Sequence, residues 1–226
     1  MNRWLAIVLI IGACGPMQGW AQQAPLQVGL SLTANAYSGD YTEPATAFQR
    51  VYPGGHFSVQ KENGQALRVS LTGGFGGFSD QYEGRFPPLP QGVDPPTFVA
   101  TRFVYGDLRL TYRFFPGGKL QPYVSAGAGL IVFAPRDAEG RRLLIQSDTR
   151  LEGETYNTVI PQLPASVGLR YRLHPILRVG LGYTYRFVPT DYLDNTGQAG
   201  TRAGFDALHA LDIGLDFILG TPPDPR

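Results

Sequence analysis

From Leu26 onward, apolar and polar side chains alternate with a period of two in separate stretches of about a dozen residues. That period is the signature of a β-strand with one apolar and one polar face. It is clearest between Phe103 and Phe133. Val104, Leu108, Leu110, Tyr112 and Phe114 share one face, and Tyr105, Asp107, Arg109, Thr111 and Arg113 share the other. After Pro116-Gly117-Gly118, Val124, Ala126, Ala128, Leu130 and Val132 oppose Tyr123, Ser125, Gly127 and Gly129. The polar face mixes charges with the smallest residues. A soluble sandwich buries its bulky apolar face and turns its charges to water; here the charged face is expected inside and the apolar face toward lipid. At about 3.3 Å per residue and a tilt of about 40°, such strands cross a bilayer core.

The pattern predicts eight strands, at about Leu26 to Tyr37, Phe48 to Gln60, Gln65 to Phe78, Phe103 to Phe114, Leu120 to Phe133, Thr158 to Arg172, Leu177 to Phe187 and Phe205 to Leu219. Pro53-Gly54-Gly55 interrupts the second, so a bulge or a late start is expected there. Short turns are predicted at Lys61-Glu62-Asn63-Gly64, Pro116-Gly117-Gly118 and Leu173-His174-Pro175-Ile176. Long loops follow the other strands, from Ser38, from Ser79 to Thr101 with five prolines, from Ala134 to Thr155, and from Pro189 to Gly204. This long–short alternation predicts an all-β fold, an eight-stranded antiparallel up-and-down transmembrane β-barrel with short periplasmic turns and long external loops. Aromatic residues near strand ends (Tyr112, Phe114, Tyr183, Tyr185, Phe187, Phe217) suit interfacial girdles.

Composition changes the picture only at the edges. A chain of 226 residues suits one β domain, and a net charge of +1 argues against a nucleic-acid partner, which would favour a strongly basic domain. Residues 1–21 read as a signal peptide, with Arg3, an apolar stretch from Trp4 to Ala13 and a Gly19-Trp20-Ala21 end, leaving 22–226 as the barrel. The single cysteine, Cys14, lies in Ile11-Gly12-Ala13-Cys14, which loosely resembles a lipobox; otherwise it leaves with the leader. Either way no disulfide supports the fold. The expected location is the outer membrane, with a monomer surrounded by membrane lipid, no cofactor, and an external-loop partner left open.

The run from Phe114 through Pro116-Gly117-Gly118-Lys119-Leu120-Gln121-Pro122-Tyr123 to Gly129 resembles the middle hairpin of small OmpA-like outer-membrane β-barrel domains. The stretch from Leu163 to Asp194 resembles a later part of the same family. The resemblance implies a barrel of the same topology and no shared catalytic residues. Many OmpA-type proteins add a periplasmic peptidoglycan-binding domain after the barrel, which this sequence lacks, so a cell-wall tether is not implied.

The candidate chemistry lies on the inward face. Arg68, Asp107, Arg109, Arg113, Arg170, Arg172, Arg178, Arg186, Asp212 and Asp216 would form a lumen charge network, since buried charges must be paired or hydrated. Leu30, Leu110, Leu130, Leu169, Leu181 and Leu215 would face lipid. A barrel this narrow holds its own side chains or one small ligand, so a filled lumen in a non-enzymatic structural or surface-interaction protein is expected, with a small transporter or narrow anion-favouring channel as the alternative and an outer-membrane lipid-modifying enzyme as a remote one. His56-Phe57-Ser58 matches the His-x-Ser spacing of outer-membrane lipid A deacylases, but its parity points into the lumen. His174 and His209 are isolated. Asp191, Asp194 and Asn195 could hold calcium but serve equally as turn formers. A lipocalin-like carrier, the soluble rival with eight strands, would carry its charges on the outer face instead. Cleavage after Ala21 predicts that intact mass of the membrane-extracted protein corresponds to an unacylated chain starting near Gln22. A heavier chain that starts at an acylated Cys14 would contradict it.

Overall fold

The computed structural model describes residues 25–39, 47–61, 65–81, 96–197 and 205–220. Eight strands form one closed barrel: β1 (Leu26–Ser38), β2 (Tyr52–Lys61), β3 (Leu67–Gln81), β4 (Phe98–Arg113), β5 (Leu120–Arg136), β6 (Val159–His174), β7 (Leu177–Val188) and β8 (Asp206–Leu219). Each strand pairs antiparallel with its neighbour in sequence. The seam is made by β1 and β8, paired without interruption from Leu26↔Leu219 to Ser38↔Ala207. Closure leaves no sheet edge to face lipid, which has no hydrogen bonds to offer.

The predicted late start of the second strand is observed. β2 begins at Tyr52, and Pro53 pairs with Ala34 of β1, whereas pairing with β3 begins only at Gly55. A proline lacks the N–H a two-sided position needs, so it sits where one neighbour is absent. The expected signal peptide, the tip of the Lys61-to-Gly64 turn and most of the proline-rich loop lie outside the described residues.

The parity expected from sequence is also the observed one. In β4 every second residue is exposed from Arg102 to Tyr112, while Phe103, Tyr105, Asp107, Arg109, Thr111 and Arg113 are buried. Leu30, Leu110, Leu130, Leu169, Leu181 and Leu215 all lie on the outer surface.

Strand ends at the loop side run further than predicted. β3 continues to Gln81 and β4 starts at Phe98, paired by Gln81↔Phe98, so both ends of the anticipated loop are sheet. The reason is that polarity inverts there. Outward positions become Ser79, Gln81, Ala100 and Arg102, while inward ones become Phe78, Val99, Phe103, Ile131, Phe133, Val188 and Leu208. Beyond the hydrocarbon the outside meets water, so the barrel takes on the ordinary apolar inside of a soluble protein. The ladder continues where the membrane pattern stops.

Leu130 and Leu181 are 56% and 59% exposed on the outer face. Replacing either with Arg is expected to cost about 2–4 kcal/mol if it lies near the bilayer midplane, read by denaturant titration of folding into lipid vesicles. Variants as stable as the parent would refute the outward assignment.

Candidate functional site

The lumen is built in three tiers. At the turn end, Gln27 of β1 accepts hydrogen bonds at Oε1 from Arg178 (2.7 Å) and Arg68 (3.1 Å). Arg113 donates to Gln121 Oε1 (3.1 Å) and to the Gln65 carbonyl (3.0 Å). Gln121 Nε2 in turn donates to the carbonyls of Pro116 (2.7 Å) and Gly118 (3.0 Å), fixing this floor to the β4–β5 turn. Arg68, Arg113 and Arg178 are all buried. Arg172, expected in the lumen network, is instead at the rim, where its guanidinium donates to the Gly117 carbonyl at 2.8 Å. It has inward parity but lies beyond the floor, so it caps a turn.

The middle tier centres on Asp107, whose side chain is fully buried. Its Oδ2 accepts from Arg109 (2.7 Å) and Arg186 (2.9 Å), and its Oδ1 accepts from Gln162. The Arg186 guanidinium lies over the Tyr105 ring, 3.6 Å from the centroid. Arg109 also donates to Ser166 (3.2 Å), itself bonded to Thr184 (2.9 Å). Arg170 pairs separately with Asp216 at 3.0 Å and lies 4.8 Å from the Tyr123 ring centroid. Glycines make the room: a Cβ on Gly129 would lie 2.5 Å from Asp107 Oδ1, and one on Gly182 at 2.5 Å from Asp212 Oδ2.

Two carboxylate centres, Asp107 and Asp216, thus hold arginines in the middle tier. Asp212 makes no ion pair among the described residues; it lines a polar cavity of about 50 Å³ together with His56, Ser58, Arg109, Arg170 and Asp216. That volume has room for a few waters, which can solvate a carboxylate without an ion pair. A small polar cavity thus lies among the charged side chains of the lumen. His56 and Ser58 open onto this cavity and not onto the outer surface.

The third tier, at the loop end, is apolar and includes a loop. Tyr37 stacks on Phe78 (4.1 Å between centroids), and Leu193, from the segment after β7, is fully buried beside Phe103, Phe133 and Leu208. The Leu193 carbonyl accepts from Thr101 (2.6 Å) and its N–H donates to Asp206 (2.9 Å). Tyr37 lies within hydrogen-bond distance of both Asp194 (2.6 Å) and Asp206 (2.7 Å). The Asp191-to-Asn195 stretch thus forms a turn: Thr196 N–H donates to Asp194 Oδ1, and Asn195 takes a left-handed conformation at φ 70°. No metal-type cluster occurs among the described residues. Above it, Phe133, Tyr156 and Tyr192 stack in sequence, and Arg150 ties the β5–β6 loop to Asn195 at 2.6 Å. Burial raises the Tyr156 and Tyr192 phenols above their usual range, for Tyr192 with help from its hydrogen bond to Glu154, so both stay neutral.

His209, isolated in sequence, is not isolated in space. On the outer face at the β1–β8 seam its Nε2 lies 3.0 Å from Ser38 Oγ and its Nδ1 2.8 Å from the Tyr183 hydroxyl. The partners are 171 and 26 residues away, so no local motif announces them.

The family model for the outer membrane protein beta-barrel domain matches residues 5–217. Among solved structures, the chain is similar to Neisserial surface protein A, with a TM-score of 0.54 at 11% identity over 85% of this chain and 96% of that one. Weaker likenesses are Ail of Yersinia pestis (TM-score 0.45, 11% identity, 85% and 98% covered) and OprG of Pseudomonas aeruginosa (0.45, 10%, 88% and 97%). No curated protein matches in sequence. Eight strands, one seam and a charged interior agree with the match along nearly the whole sequence: the chain belongs to the outer membrane protein beta-barrel domain family.

Proposed function

We infer that this outer-membrane barrel acts through its exterior, in a structural or surface-interaction role, with a lumen that neither conducts nor catalyses. The observation that supports this reading is the packing of buried side chains toward both ends of the barrel. Toward the turn end lie the Gln27, Arg68, Arg178, Arg113 and Gln121 bonds, the Asp107 cluster forms part of the cavity wall, and toward the loop end lies the apolar core around Leu193. His56 and Ser58 have no route to lipid from inside the barrel. The exposed surface available to a partner is the ordered cap in which the β5–β6 loop and the segment after β7 hold each other through Arg150, Asn195 and the tyrosine stack.

A second reading, a narrow path favouring anions, draws on one feature: the cavity is lined by Arg109 and Arg170. Planar-bilayer recording separates the two. The wild type is expected to be silent, and steady anion-selective single-channel currents would overturn the closed reading. Asp107→Ala leaves Arg109 and Arg186 without their shared carboxylate; breaking such a buried pair costs about 3–5 kcal/mol. That variant is expected to lose stability in that range and to leak, whereas Phe57→Ala, on the outer face, should do neither.

A further inference from the structure

The geometry points to a hydrolytic site on the outside of the barrel, with Ser38 as nucleophile, His209 as general base and Tyr183 as the group that positions the imidazole, acting on carboxylic esters of membrane lipid. This goes beyond the closed-lumen reading and does not depend on it.

Three strands supply the site, and the seam assembles it. Ser38 ends β1, His209 lies near the start of β8 and Tyr183 lies in β7, all with outward parity. The Ser38 Oγ to His209 Nε2 distance of 3.0 Å is within proton-transfer reach. The Tyr183 hydroxyl lies 2.8 Å from Nδ1. In the tautomer where Nδ1–H donates to Tyr183, Nε2 is left to accept the Ser38 proton, which is the nucleophile–base–orienter arrangement that activates a serine. Tyr185 meets the imidazole edge-on at 5.3 Å and holds the ring plane.

Position selects the substrate. Below His209 on the same strand face, Leu211, Ile213 and Leu215 are exposed apolar side chains. Around it, Tyr183, Tyr185, Phe187 and Phe205 form the aromatic belt that marks the membrane–water boundary at the loop end. The ester linkages of membrane lipids lie at that boundary, between head group and acyl chain. A lid is also present. The short 3₁₀ turn Ala47–Gln49 folds against the outer face of β1 and sets Phe48 at 5.7 Å from the imidazole and 6.2 Å from Tyr183. Ser38 and His209 are 5% and 7% exposed beneath it, while Phe48 itself is 41% exposed and faces the surroundings. Phe48 thus lies over the imidazole and the Tyr183 ring, so its displacement would open the base to lipid.

The chemistry balances without a redox partner. Ser38 Oγ attacks the ester carbonyl carbon as its proton passes to Nε2. The carbon–oxygen bond to the alcohol breaks and Nε2 returns the proton to that oxygen, leaving acyl-Ser38. Water, deprotonated by Nε2, then attacks the acyl carbon. Free carboxylic acid departs and the serine regains its proton.

The test uses the full chain folded in vesicles of diacyl phosphatidylethanolamine and phosphatidylglycerol, treated with an alkyl fluorophosphonate and read by peptide mass spectrometry, alongside fatty-acid release. The expected result is an adduct on Ser38 in the wild type, labelled faster in Phe48→Ala and abolished in Ser38→Ala. In His209→Gln labelling should be slower by about 100-fold or more, while Ser58→Ala labels as wild type. Each variant is checked for a closed barrel by circular dichroism. No adduct on Ser38 in folded wild type and folded Phe48→Ala would overturn the site. Labelling that is unchanged in His209→Gln would do so too, reducing the cluster to a clasp that holds the lid.

Discussion

A backbone amide inside a bilayer has no water to turn to, and this constraint shapes everything else in the molecule. Each N–H and C=O of eight strands must find its partner in the neighbouring strand. The first and last strands meet that demand with an unbroken ladder from Leu26↔Leu219 to Ser38↔Ala207. Once the ring is closed, side-chain parity has only two destinations. Outward residues meet lipid and become leucine, valine and phenylalanine. Inward ones share a narrow lumen, where glycines set beside Asp107 and Asp212 leave space for their carboxylates, that of Asp107 held by two guanidinium groups.

The interior is not uniform along the axis. Its floor is amide and guanidinium, its middle is ion pairs beside a small polar cavity, and its loop end is aromatic and aliphatic. The last of these follows the solvent outside. Above the hydrocarbon the exterior is wetted, so the hydrophobic effect again rewards an apolar core, and Leu193 is drawn in to complete it. A protein that is inverted within the membrane returns to the usual arrangement above it.

Strand number, facing and the alternation of long and short connections were legible in sequence, because lipid enforces a strict period of two. Val104 to Phe114 and Arg68 to Gly76 could be sorted correctly by parity alone. The strand ends at Gln81 and Phe98 were not legible, because outside the hydrocarbon polarity no longer follows the same rule. Arg172 was misplaced since parity gives direction and not depth. Asp212 was expected in an ion pair, yet the cavity beside it offers room for hydration instead. The Ser38–His209–Tyr183 cluster had no sequence signal at all. Its members meet only because the barrel closes, and Phe48 reaches His209 and Tyr183 from the 3₁₀ turn Ala47–Gln49.

The central claim is that the apolar face of each strand meets lipid while the charged face lines a secluded lumen. A nitroxide scan along β5, from Tyr123 to Val132 in a chain with Cys14 replaced, tests it most directly through collision rates with dissolved oxygen, which concentrates in hydrocarbon. The account predicts a rate that alternates with a period of two, high at Val124, Ala126, Ala128, Leu130 and Val132 and low at the residues between. A flat profile, or one with the opposite phase, would contradict it.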